Sequence, residues 1–323
     1  MPDQQAPAPR PRTDRPPTPL RGIGLKVLSV TVFVGMAACI KSTAPEIPPG
    51  QAVFFRSFFA IPVILAWIAW QGKLRRGLET RNPMGHLWRG LVGTTAMGLG
   101  FTALGLLPLP EATALGYAAP LLVVVFAAMF LGEPVRLFRL SAVALGLAGV
   151  MVVLSPRFEI AGAGDVSRLE TLGAMAALLG AVFAALAQVF VRKLVTVEAT
   201  GAIVFYFSVT ATILSLATLP MGWELPTARQ AGLLVLAGLF GGVGQMLLTE
   251  SYRHADVSVI APFEYTSMIL ALALGYFLFE EVPTAAMLSG AALIVAAGLA
   301  IIYREHRLGL ERARARRVIT PQG

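Results

Sequence analysis

Ten runs of about 20 mostly apolar residues leave this 323-residue chain little choice of fold. They occupy 23–42, 51–71, 85–107, 111–132, 138–155, 172–192, 199–220, 230–251, 257–279 and 284–303. A run of about that length is what an α-helix needs to cross a hydrocarbon core roughly 30 Å thick. Hydrophobic residues make up 56% of the chain and charged ones 14%, against about 45–50% and about 25% in soluble domains. With a mean hydropathy of +0.72, this is too much apolar surface for a water-soluble core. The fold class expected is an all-α membrane protein of ten transmembrane helices. Glycines inside the runs, such as Gly93, Gly98, Gly100 and Gly105, suit helices that pack closely in lipid.

The charges set a topology. With the N-terminus cytoplasmic, Arg10, Arg12, Arg15 and Arg21, then Lys73, Arg75, Arg76 and Arg81, and finally Arg304, Arg307, Arg312, Arg314, Arg316 and Arg317 all fall on the cytoplasmic side. Arg136, Arg139, Arg192, Lys193 and Arg253 join them, whereas the opposite side carries only Lys41, Arg157, Arg168 and Arg229. This is the positive-inside bias. It supports ten spans with both termini in the cytoplasm. It also accounts for the net charge of +8 without nucleic acid. The first 20 residues hold seven prolines, and 1–21 read as a disordered arm; 304–323 form a basic tail. A lone cysteine, Cys39, rules out an intrachain disulfide and cysteine metal sites. His86, His254 and His306 read as surface residues, and Glu280 and Glu281 as a solvated pair at the exit of the ninth span.

An internal repeat organises the spans. A shift of 148 residues carries Tyr117 onto Tyr265, Glu133 onto Glu281 and Ser141 onto Ser289. FLGEPVRLFRLSAVALGLAG (130–149) parallels FLFEEVPTAAMLSGAALIVAAG (277–298), and CIK (39–41) parallels the end of FVRK (190–193). The unit is five spans, 22–155 and 172–303. Five is odd, so the second copy must run upside down relative to the first. Inverted repeats are a device of transporters, whose two halves exchange conformations to open a central site to alternate sides.

These segments resemble a known group. FFRSFFAIPVIL, GYAAPLLVVVFAAMFLGE, IAPFEYTSMILALALGYFLFEEVP and SGAALIVAAGLAIIY are similar to the drug/metabolite transporter superfamily, in its ten-span branch with two EamA domains. The resemblance covers residues 22 to about 304. It implies a basket-like bundle in which spans 1, 3, 4, 6, 8 and 9 line a central cavity and spans 5 and 10 are peripheral. Such proteins export amino acids and metabolites, or import vitamins and nucleotide-like compounds; within the group the chain most resembles proteobacterial riboflavin transporters.

Several residues are candidates for chemistry. Glu264 lies about eight residues, roughly 12 Å, into span 9. A carboxylate there costs about 2.5–3.5 kcal/mol on insertion scales and should face the bundle interior. It is read as a substrate acceptor or proton-coupling group, against a structural carboxylate. Helical spacing puts Ala261, Ser267, Ala271 and Gly275 on its face. Pro262 and Pro120 each remove a backbone donor, freeing the carbonyls of Ser258 and Gly116 and marking one hinge or static kink per half. Arg56 is read as the only arginine well inside a span; pairing with a carboxylate or snorkelling to the outer surface is its plainer role. Gln188 and Gln245 are expected to point inward, with Phe263, Tyr117 and Tyr265 offering aromatic faces. The set suits a planar, hydrogen-bonding solute of little net charge; a phosphate-rich one would call for several inward cations, and these are read as absent. No catalytic, metal, cofactor or ATP-binding motif is present. The partners expected are a small-molecule substrate and the lipid bilayer. The leading function is uptake of riboflavin or a similar planar vitamin; the alternatives are export of amino acids or other small metabolites, and a non-transporting scaffold.

Overall fold

Every element of the computed structural model is a helix, among the residues it describes: 19–44, 46–72, 74–131, 137–159, 164–194, 197–254 and 260–319. Almost all of the proposed N-terminal arm lies outside them. The helices are α1 (Pro19–Thr43), α2 (Pro49–Trp70), a short α3 (Leu74–Gly77), α4 (Pro83–Leu106), α5 (Leu109–Gly116), α6 (Ala118–Leu131), α7 (Leu137–Glu159), α8 (Gly164–Leu194), α9 (Thr200–Leu216), α10 (Ala228–His254), α11 (Thr266–Phe279) and α12 (Ala285–Ile319). Starts are marked by proline, which fits the first helical turn where its missing N–H costs nothing: Pro49 opens α2, and Pro83 opens α4 behind Asn82. The Asn82 side chain accepts a hydrogen bond from the Gly85 amide at 2.9 Å, as a helix N-cap should.

Five described helices are long and apolar enough to cross a membrane by length and composition, and three shorter apolar helices accompany them. The exterior agrees. Phe277, Ile269 and Ile213 are 78%, 69% and 62% exposed, while Lys26, Arg56 and His86 are buried. A water-soluble domain has the opposite arrangement.

The fourth and ninth apolar runs do not form single α-helices. The fourth breaks at Tyr117, between α5 and α6. The ninth enters as a 3₁₀ turn, Ala261–Tyr265, before α11 begins. Both breaks sit three residues from a proline, Pro120 in the first turn of α6 and Pro262 in the 3₁₀ turn. The two 14-residue helices that follow, α6 and α11, begin and end 148 residues apart.

That correspondence extends to packing. Exchanging the halves turns α1, α2, α4, α6 and α7 into α8, α9, α10, α11 and α12. The helix pairs survive the exchange: α1 packs on α10 and α8 on α4; α2 on α10 and α9 on α4; α6 on α8 and α11 on α1. The pairs α2–α9 and α7–α12 map onto themselves. The α7–α12 pair, expected to be peripheral, meets through glycines. A Cβ on Gly149 would lie 2.8 Å from the Gly290 carbonyl oxygen, and one on Gly290 would lie 2.6 Å from the Gly149 carbonyl oxygen. Close backbone approach through small residues is the usual basis of helix association in lipid.

Gly290→Leu is therefore expected to wedge the two helices apart. Overpacking of this kind costs about 1–3 kcal/mol, read as a lower thermal midpoint of the purified protein in detergent. Gly98→Ala, where an added Cβ meets nothing within 4 Å, should leave the midpoint unchanged.

Candidate functional site

The two helix breaks face each other. Tyr117 and Tyr265, counterparts in the repeat, meet edge to face with ring centres 5.0 Å apart at 71°. The Tyr117 hydroxyl bonds to the Ser267 hydroxyl. Ser267 in turn donates to the Glu264 carbonyl oxygen at 2.7 Å, and Thr266 donates to that of Phe263 at 2.6 Å. Both carbonyls also accept from the Thr266 amide, so the side-chain bonds reinforce the turn. The tyrosines, expected to offer faces to a solute, are used largely on each other, and the Tyr265 hydroxyl lies against Gly298.

Glu264 belongs to the 3₁₀ turn, so it does not share an α-helical stripe with Ala271 and Gly275. A 3₁₀ segment advances three residues per turn rather than 3.6, which rotates it out of register with the helix that follows. Its side chain is half-exposed, and it forms an ion pair with Lys26 of α1, Nζ to Oε2 at 3.0 Å. Lys26 is 2% exposed. Sequence reasoning missed this lysine, although a cation inside the first apolar run was the available signal. The ion pair joins the first helix of one half to the broken span of the other.

A second inter-half ion pair lies at the far end of α1. Lys41 Nζ is 2.9 Å from Glu281 Oε1 and donates to the carbonyl oxygens of Leu107 and Leu104 at 2.6 and 3.3 Å. Glu281 Oε2 accepts from the Leu109 amide at 2.8 Å. Glu281 is therefore not the solvated carboxylate expected: a buried cation and a free helix-start amide hold it. Its counterpart Glu133 lies outside the described residues.

The loops carry a matched pair of clamps. Glu46 and Glu198 each stand five residues after a lysine, Lys41 and Lys193. Glu198 accepts from the Thr80 hydroxyl at 3.0 Å and from the amides of Arg81 and Asn82 at 2.7 and 2.8 Å. Glu46 is bonded by Gln230, near the start of α10. Each carboxylate thus grips the approach to a helix of the opposite half. His86 is not on the surface; it is buried, with Nε2 3.8 Å from Glu198 and its ring against Tyr206 at 4.9 Å. Burial pushes the Glu198 carboxyl up, but the Arg81 amide, the Thr80 hydroxyl, the Asn82 amide and neighbouring His86 together hold it below its ordinary value.

The remaining expected residues scatter. Arg56 neither pairs with a described carboxylate nor reaches the surface; it is 6% exposed and lies against Phe207 of α9, 5.8 Å from the ring centre. Nor is it alone, since Arg89 of α4 lies 4.0 Å from the same ring. With Lys26, this overturns the reading that inward cations are absent. Gln245 is half-buried on the α10 stripe of Leu234, Ala237 and Gly241. Gln188 is exposed, although it sits on the α8 stripe of buried Ala177, Ala181 and Ala185. An open cavity of about 260 Å³ between α4, α5 and α8 runs along that stripe, lined by Met97, Thr113, Gly116 and Ala184 among others. Gly116 is the repeat counterpart of Glu264.

Comparison with known proteins adds three relatives and a fold. The EamA-like transporter family profile matches residues 20–155 and 171–304. The chain is 31% identical over 281 residues to the pseudopaline exporter CntI of Pseudomonas aeruginosa, covering 87% of this chain and 95% of that one. It is 28% identical to an S-adenosylmethionine uptake transporter of Rickettsia bellii (88% and 94% covered) and 30% identical to a riboflavin transporter of Rhizobium johnstonii (80% and 83%). One solved crystal structure superposes with a TM-score of 0.63 at 22% identity, over 89% of this chain and 98% of that chain.

Breaking the Lys26–Glu264 pair should be asymmetric. Glu264→Gln strands a buried ammonium, whereas Lys26→Met strands only a half-exposed carboxylate. Uncompensated buried charge is the costly outcome, so the first variant should melt lower than the second in detergent, and the double variant should recover part of the difference. Glu198 gives a pH signature. Its depressed carboxyl contributes stability that is full above the unfolded value of about 4.3 and is lost as pH falls through the folded value. Thermal midpoints measured across acidic pH should therefore fall more steeply for wild type than for Glu198→Gln.

Proposed function

The chain belongs to the EamA-like transporter family, and from that premise we propose a ten-helix secondary transporter of two inverted halves. It moves a small organic metabolite across the bacterial inner membrane by alternating access, with both termini in the cytoplasm. The observation that carries the substrate reading is the Lys26–Glu264 pair. Opposite charges are admitted into an apolar bundle at the point where a span is broken and half open. A solute bearing both an amine and a carboxylate can replace each partner with a group of its own. An uncharged ring that displaced Glu264 would leave the buried lysine without a counterion. The substrate class favoured is therefore an amino-acid-type metabolite. The relatives named for pseudopaline and S-adenosylmethionine support that class, and they differ in direction.

A planar vitamin such as riboflavin is the second reading. It is supported by the Tyr117–Tyr265 aromatic pair beside Glu264 and by the riboflavin transporter among the relatives. In either case Pro120 and Pro262 act as hinges, one per half. The Lys41–Glu281 pair closes the end of the bundle opposite Lys26, and Gln188, Gln245 and Phe263 border the solute path. An exchange of conformations between the two like halves, with release of the inter-half ion pairs, is the switch that an inverted repeat permits.

Reconstituted proteoliposomes test this with labelled amino acids and labelled riboflavin, by counterflow in both directions. Amino-acid flux is expected, reduced at least tenfold by Lys26→Gln and by Glu264→Gln. Wild-type flux in both variants would remove the ion pair from the path. Riboflavin flux without amino-acid flux would move the assignment to the second reading.

A further inference from the structure

We propose that Arg56 and Arg89 form an oxyanion site at mid-depth in the bundle, which receives the carboxylate of the transported metabolite. The inference rests on the transport reading above and names a second station for the same carboxylate, occupied at a different stage of transit from its pairing with Lys26. Arg56 lies seven residues into α2, Arg89 six residues into α4, and both guanidinium groups reach the Phe207 ring of α9. The Nε of Arg56 and the Nε and Nη1 of Arg89 are buried without a hydrogen-bond partner. No described carboxylate pairs with either residue. The Ser57 and Ser208 hydroxyls, each next in sequence to a member of the cluster, are likewise buried and unpartnered.

Room for the guanidinium groups is built in. A Cβ on Gly241 of α10 would stand 2.9 Å from Arg56 Nε, and a Cβ on Gly93 of α4 would collide with Arg89 Nη1. Gly93 and Gly241 are repeat counterparts, 148 residues apart. The niche thus belongs to the symmetric scaffold, whereas the charges do not. At the same shift Val204 stands where Arg56 would recur, and Ala237 where Arg89 would.

Two like charges, both effectively permanent, are held in apolar surroundings with donors unmet, and only an anion answers all three conditions. The planar guanidinium fork selects carboxylate or phosphate oxygens. A lipid headgroup is the wrong occupant. Arg56 stands about 10 Å along its helix by the helical rise, away from the ends where headgroups lie. This location favours a solute.

The test uses thermal unfolding of purified full-length protein in neutral detergent, with L-methionine, L-methioninamide, inorganic phosphate or phosphatidylglycerol added separately. L-Methionine is expected to raise the midpoint saturably, and the amide, which lacks the carboxylate, is not. Arg56→Gln and Arg89→Gln should each melt higher than wild type without ligand, because a repelling charge is gone, and each should lose the ligand-induced rise. Arg89→Lys, which keeps the charge without the fork, should retain a rise with affinity weakened about tenfold. A wild-type protein that no carboxylate stabilises, or arginine variants that keep the full rise, would overturn the site. A response confined to phosphate or to phosphatidylglycerol would overturn its assignment to a metabolite carboxylate. Parallel flux measurements separate the two inferences. Amino-acid flux without arginine-dependent stabilisation defeats this site alone. Stabilisation without flux of any solute defeats the transport reading and leaves the site standing.

Discussion

Hydrocarbon offers no hydrogen-bond partner to a peptide group, and the whole molecule is organised around that fact. It makes every described element a helix, and it makes each interruption of a helix an obligation on the surrounding protein. The two interruptions in this bundle, at Tyr117 and at Ala261–Tyr265, are brought together. Tyr117 bonds to Ser267, Ser267 bonds to the carbonyl of Glu264, and Thr266 bonds to that of Phe263. The carbonyls of the turn take both the Thr266 amide and these side-chain donors. The same region is where Lys26 and Glu264 can sit as charges.

The scaffold is symmetric and its charges are not. Exchange of the halves preserves the helix pairs, the lengths of α6 and α11, the Gly93 and Gly241 niches and the loop carboxylates Glu46 and Glu198. It does not preserve Glu264, whose counterpart is Gly116, nor Arg56, Arg89 or Lys26. The symmetric features are those that an exchange of conformations between halves needs, since both states are then built from equivalent contacts. Matched groups do not by themselves tell apart the two ends of a solute that lacks two-fold symmetry. The unmatched charges are the residues available for that task.

The all-helical class, the repeat and the places where spans break were legible in the sequence because each has a local cause. Apolar run length decides a span, a proline within a run decides a missing donor, and a 148-residue shift is visible without any coordinates. Glu264 stood out for the same reason: a lone carboxylate in an apolar run. The partners of these groups were not legible. Lys26 and Arg89 lie about one turn inside their runs, where topology counting passes over them, and Glu281 lies just beyond one, where water is the simplest assumption.

What the sequence by itself determined is a membrane-spanning helical protein of two like halves, because hydropathy and repetition are properties of the chain alone. Only the tertiary structure decided which charge meets which. Lys26 and Glu264 are 238 residues apart, and Lys41 and Glu281 stand at opposite ends of the chain's repeat order. Arg56 and Arg89 share one ring, and no described carboxylate pairs with either. Those pairings depend on how α1 crosses α10 and α2 crosses α9. The crossings are set by glycines and side-chain volumes from both halves acting at once, a condition that no single stretch of sequence contains.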